Sequence, residues 1–247
     1  RFDVPFVDQY AVTRKVLEKL AADGGNVKPF PDGVHTNPAG GLLMAHTILA
    51  GLHAPTAVSQ VEIDAAKKSI NSHRCGIANL SVADSADRVT CDRTDAALPL
   101  PVLREWRDLL PYVDHLKDLN DYGLKVTGLK AGKYELRIDG TPVATYTAEE
   151  LAAGVNVGLA DKGPLYDQGM KVLKAINAKN DILHKRFRGV VMFDPKVVPD
   201  WVAPPEEVVH KRREQLEKRA EQIAARQAEV YELAKPVRHT WELKPAE

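Results

Sequence analysis

A chain of 247 residues in which 34 Lys and Arg face 34 Asp and Glu has no formal net charge, so it lacks the basic excess that general binding to nucleic acid or an anionic membrane requires. Its 44% hydrophobic content is ordinary for a protein with a core, and no apolar run approaches the roughly 20 residues of a membrane-spanning helix. The cysteines, Cys75 and Cys91, form no C-x-x-C pair, which argues against a structural zinc site and leaves open whether they bridge or lie as small buried hydrophobes.

The order of elements divides the chain into residues 1–55, 56–160 and 161–247. In the first part, Val4 to Val7 reads as a short buried strand. Val12, Val16, Leu17 and Leu20 then recur at helical spacing over residues 10–22, and Asp23-Gly24-Gly25-Asn26 ends that helix. After a loop with Pro29 and Pro31, Asn37 is placed to cap a second helix that has Pro38 at its first position. Its apolar stripe is Leu42, Ala45, Ile48, Leu49 and Leu52. Strand, helix, loop and helix are what the end of an α/β layered domain looks like.

The middle part is rich in strand signals. Val58, Val61 and Ile63 mark one strand, and residues 77–82 and 88–93 are expected to pair through the turn at 84–87. A helical stretch over residues 102–119 interrupts. Residues 123–129 and 133–138 then alternate apolar and polar around a turn at Lys130-Ala131-Gly132, and Asp139-Gly140 opens a hairpin into residues 142–146. The pattern predicts a small antiparallel sheet with one wet face.

The last part is helical. One helix is expected over residues 165–187, followed by a Pro-rich linker and a long charged helix over residues 206–234. Val209, Leu216, Ile223 and Val230 recur there every seven residues, and Arg213 breaks the second seam. This fits a helix packed on its own protein, with self-association through residues 206–234 as the alternative. Pro236 stops the helix, and a closing strand is expected over residues 237–243.

Chemistry concentrates in Asp32-Gly33-Val34-His35. A carboxylate three residues before a histidine, with a glycine between them, can curl back onto one ring nitrogen and leave the other outward. That is the arrangement a general base needs. The spacing alone is common. Its surroundings are more specific: Val4-Pro5-Phe6-Val7-Asp8, a helix, Asp32-Gly33-Val34-His35, then Asn37-Pro38-Ala39-Gly40 and an apolar helix. This order resembles the last block of the SGNH (GDSL-like) hydrolase family over about the first 53 residues, with Thr36 where many members have proline.

The resemblance implies the C-terminal end of a three-layer α/β/α domain, with Asp32 as the acid and His35 as the base of a serine triad. It also implies ester hydrolysis, on acetylated carbohydrates or other small esters, without metal or organic cofactor. The family's Gly-Asp-Ser block precedes this one, and no serine stands before residue 32; Ser59, Ser69, Ser72, Ser81 and Ser85 all follow. The chain is therefore expected to be part of a longer protein and inactive alone. Residues 124–140 resemble, more loosely, a C-terminal extension of some bacterial members. The alternative reading is a non-catalytic binding or assembly module using the β-rich region and the long helix. His46 and His53 lack an evident third metal ligand, Trp106, Trp201 and Trp241 read as packing anchors, and residues 184–188 read as a solvated basic helix end.

Overall fold

The computed structural model describes residues 6–246. Helix α1 (Gln9–Ala22) starts at Asp8, whose carboxylate accepts the Ala11 N–H. Helix α2 (Pro38–Gly51) starts at Asn37, as the sequence predicts, and the Asn37 side chain accepts the Gly40 N–H at 3.0 Å. Val16 and Leu20 of α1 meet Ala39, Leu42 and Leu43 of α2, and Leu109 closes this cluster from the 3-10 segment Arg104–Tyr112. A continuous helix over residues 102–119 does not form. Pro111 lies inside the segment and supplies no N–H, so the backbone tightens to 3-10 and resumes only as the short α3 (His115–Asp118). Of the strand expected at residues 4–7, Val4 and Pro5 lie outside the described residues, and Phe6 and Val7 form no strand.

The strands divide between two sheets. β1 (Ala57–Asp64), β2 (Ser69–His73), β5 (Asp121–Thr127) and β8 (Val155–Asn156) form a four-stranded sheet in the order β2-β1-β5-β8. β3 (Cys75–Val82), β4 (Val89–Asp95), β6 (Lys133–Ile138), β7 (Thr141–Thr147) and β9 (His239–Pro245) form a five-stranded sheet in the order β3-β4-β9-β6-β7. The expected β3–β4 and β6–β7 hairpins both form. The expectation of one antiparallel sheet is corrected in detail. β5 does not turn back onto β6 but pairs in parallel with β1, with Val61 opposite Leu124 and Ile63 opposite Val126.

Inward-facing Val61, Ile63, Leu124 and Val126 of the first sheet and Leu136, Ile138 and Leu243 of the second share one apolar core. A charge lies within it. Arg93 and Asp95 are 1% and 2% exposed in their side chains and pair at 2.8 Å. The Ser59 hydroxyl donates to Asp95 at 2.5 Å, and Tyr122 donates to the other carboxylate oxygen. The Arg93 guanidinium lies 4.3 Å from the Tyr122 ring and 4.5 Å from the Trp241 ring. The network joins β1 and β5 of one sheet to β4 and β9 of the other. Burial, with the Asp95 carboxylate opposite, pushes the Tyr122 phenol well above its ordinary value.

By contact density the described chain forms two compact units, Arg1–Asp167 with Pro236–Glu247, and Gln168–Lys235. The second is an antiparallel helical pair, made by the later part of α4 (Pro164–Arg186) and by α5 (Pro205–Leu233). Lys179 donates to Gln227 across the pair, Arg186 reaches the Leu216 carbonyl, and Arg212 reaches the Val190 carbonyl. Val230 of the seven-residue repeat is buried and Val209 is exposed. The fold class is mixed α/β, with two sheets and flanking helices. Among the described residues, no helix is long and apolar enough to cross a membrane.

Candidate active site

The loop before α2 is closed at its neck by Asn37. Its backbone N–H donates to the Pro29 carbonyl at 3.2 Å and its side-chain amide donates to the Lys28 carbonyl at 2.9 Å. The same side chain caps α2, so one residue fixes both ends of the loop to the helix start. Gly40 permits the close approach: a Cβ there would fall 2.2 Å from the Pro29 oxygen. Gly33, at φ +80, supplies the left-handed residue at the tip.

Inside this loop the structure brings Asp32 and His35 together. Asp32 Oδ1 accepts the backbone N–H of Val34 at 3.0 Å and of His35 at 2.7 Å. Oδ2 lies 2.6 Å from His35 Nδ1. An ionised carboxylate can only accept, so Nδ1 carries the proton and Nε2 is left as the ring's acceptor. The His35 hydrogen bond, followed by the two backbone N–H bonds, lowers the Asp32 carboxyl from 3.8 to about 2. The His35 side chain is 84% exposed, so Nε2 faces open space.

An open cleft of about 680 Å³ runs beside the loop neck, lined by Lys28, Asn37, Pro38, Arg107 and Tyr112, but neither Asp32 nor His35 lines it. The serines sit in the β-rich part. Ser59 is buried in the Arg93–Asp95 network, Ser72 donates to the Cys75 carbonyl, and Ser85 is bonded to Asp87. Ser69 lies in β2 and Ser81 in β3.

His46 Nε2 lies 3.0 Å from the Asp118 carboxylate, and His53 is exposed at φ +56. Among the described residues, no group of three or more His, Cys, Asp or Glu is placed to hold a metal ion. Cys75 and Cys91 are free, and burial pushes the Cys91 thiol up to about 11. Trp241 is buried, Trp106 packs at the α1–α2 cluster and Trp201 is exposed. A further carboxylate–imidazole pair, Asp139 with His239, is not legible in the sequence because the two residues are 100 positions apart.

No family model matches this sequence, and no curated protein matches it. A solved structure described as a gut microbial diltiazem-metabolizing enzyme is similar in fold, with a TM-score of 0.76 and 22% sequence identity. The match covers 96% of this chain and spans 61% of the length of that one. At this identity the likeness shows the fold.

Proposed function

We propose that the 32–35 loop is the acid–base half of an SGNH-type serine ester hydrolase, whose nucleophile and oxyanion donors belong to a part of the protein outside these residues. The observation that carries the reading is the 2.6 Å contact from Asp32 Oδ2 to His35 Nδ1 in an exposed ring. A serine hydroxyl brought to His35 Nε2 gives up its proton there as its oxygen attacks the ester carbonyl. His35 then passes that proton to the departing alkoxide. In the second half-reaction Nε2 takes a proton from water, the hydroxide attacks the acyl-enzyme, and the serine recovers its proton from Nε2. Asp32 keeps its proton off throughout, holds the ring orientation and stabilises the imidazolium.

The surface of α2 supports a missing layer. One side packs on α1, while Met44, Ile48 and Leu49 are exposed apolar side chains on the same helix, followed by exposed Leu52 just past its end. A helix that is apolar around its circumference belongs between two layers. In a domain completed over α2, that layer would lie close to the loop that α2 carries. The fold neighbour is longer than this chain and is named for acting on diltiazem, so the activity of the whole protein is proposed here as hydrolysis of a small ester.

The test is hydrolysis of p-nitrophenyl acetate, and of diltiazem as a second probe, by the complete natural polypeptide. His35→Ala is expected to lower the rate by about 10²–10⁴-fold, the usual range for general acid–base catalysis. An unchanged rate in that variant removes the assignment.

A further inference from the structure

Gly123 stands in the middle of β5, paired with Gln60 of β1 on one side and Asn156 of β8 on the other. Its backbone is not left-handed, and a Cβ there would meet nothing closer than 3.4 Å. Neither conformation nor packing calls for glycine. A glycine in a strand interior weakens the strand and marks a bulge or a close approach by a ligand or another backbone. The β1–β5 ladder is irregular nearby, between Ala57 and Ser59, and the absent side chain leaves open space above Gly123 itself. The outer face of this sheet is in fact a trough of about 590 Å³ with Gly123 in its floor. That volume lies within the range of small-molecule sites.

The lining defines the ligand. Register puts His73, Gln60, Gly123 and Asn156 in one row across the four strands, and Asn71, Glu62 and Lys125 in the next. Strand spacing makes such a row about 14 Å long, the reach of a short oligosaccharide. The charges cancel: Glu62 is 3.8 Å from Lys125, and Asp121 accepts from Gln60 at 2.5 Å while Lys117 lines the same trough. Amide, imidazole, carboxylate and ammonium groups side by side offer both donors and acceptors, with no net pull on an ion. Hydroxyl groups, which donate and accept, suit that surface.

We propose that this trough binds a neutral oligosaccharide. The site uses none of the residues of the 32–35 loop, so it stands or falls apart from the hydrolase reading.

Saturation-transfer NMR on the complete natural polypeptide, with xylotriose, cellotriose, maltotriose and N-acetylchitotriose as probes and trigalacturonate as the charged comparison, tests this. At least one neutral trimer should show transfer at millimolar concentration. Gly123→Val places a side chain in the floor of the trough at ordinary contact distance, and should weaken binding by about tenfold or more, as when several ordinary hydrogen bonds are blocked. If that variant unfolds, Asn71→Ala with Glu62→Gln is read in its place. No transfer from any neutral trimer, tighter binding of trigalacturonate, or wild-type binding by the folded variant overturns the proposal.

Discussion

His239 Nδ1 lies 2.7 Å from Asp139 Oδ2, the same nitrogen and the same kind of partner as in the 32–35 loop. The surroundings differ. The His239 side chain is 7% exposed, and its Nε2 is buried without a hydrogen-bond partner among the described residues. A ring whose second nitrogen is sealed cannot exchange protons with a substrate, so this pair fastens β9 to the β6–β7 turn. Asp139 holds that turn at φ +49 and also accepts the Thr240 N–H at 2.8 Å. Asp139→Ala leaves the His239 N–H unmet in a buried site, and is expected to cost about 1–3 kcal/mol of stability by chemical denaturation. Asp139→Asn, which tolerates the left-handed backbone, should cost less. Equal losses would mean that the carboxylate charge, which both variants remove, sets the effect, and not the backbone.

Exposure leaves the Asp32 pair open to titration. The Asp32 carboxyl falls from 3.8 to about 2 because the folded loop hydrogen-bonds its charged form. A carboxyl lowered on folding stabilises the fold above its unfolded value. That contribution is lost as pH falls through the folded value. The loop should therefore be intact above about pH 4 and loosen as the pH approaches 2. A carbon-detected NMR titration of the Asp32 carboxyl should give a midpoint near 2, and His35→Ala should move the midpoint upward. A midpoint near 4 in the unmodified protein would show that the 2.6 Å contact is not held in solution.

The features legible in the sequence are those encoded within a few residues. Asn37 before Pro38 announced α2, Asp139-Gly140 announced the β6–β7 hairpin, and Asp32-Gly33-Val34-His35 carried its own loop geometry. The helical stretch expected over residues 102–119 is instead a 3-10 segment with Pro111 inside it, where the proline supplies no N–H for a continuous helix. Pairings between distant segments were not legible. Nothing local tells β5 to lie beside β1 rather than fold onto β6, or brings β9 between β4 and β6. The Arg93 network has the same origin: Ser59, Tyr122 and Trp241 meet the guanidinium only because four strands from two sheets converge there. The rest of the proposed active site is illegible for another reason, since its nucleophile is assigned to residues outside this chain.

Arg93 and Asp95 should behave as a unit. Removing one partner strands a charge in the core, which typically costs about 3–5 kcal/mol, while exchanging both for apolar groups of similar size is often near neutral. Asp95→Ala also strips the Tyr122 and Ser59 hydroxyls of their acceptor. Urea denaturation should show a loss of that order for Asp95→Ala and a much smaller loss for Arg93→Met combined with Asp95→Leu. A double variant as unstable as the sum of its singles would mean that the two residues contribute independently.

Gly40 and Gly41 are neighbours in the first turn of α2, yet they should respond oppositely to alanine. At Gly41 nothing lies within 4 Å of an added Cβ, so Gly41→Ala should gain about 0.5–1 kcal/mol through the lower backbone entropy of the unfolded chain. At Gly40 the added carbon would meet the Pro29 carbonyl at 2.2 Å and the Thr36 side chain at 3.1 Å. Either the loop neck opens or the helix start shifts, and overpacking of this kind costs about 1–3 kcal/mol. The Asn37 N–H to Pro29 bond is the contact in the way, so the neck should give first and carry Asp32 and His35 with it. Thermal melts should then rank Gly41→Ala above the unmodified protein and Gly40→Ala below it. The Asp32 carboxyl midpoint should climb from about 2 toward its ordinary value in Gly40→Ala alone, because the loss of the His35 hydrogen bond removes its largest cause. If Gly40→Ala lowers the melting temperature but leaves that midpoint near 2, the dyad is set within residues 32–35 and does not depend on the neck that Asn37 closes.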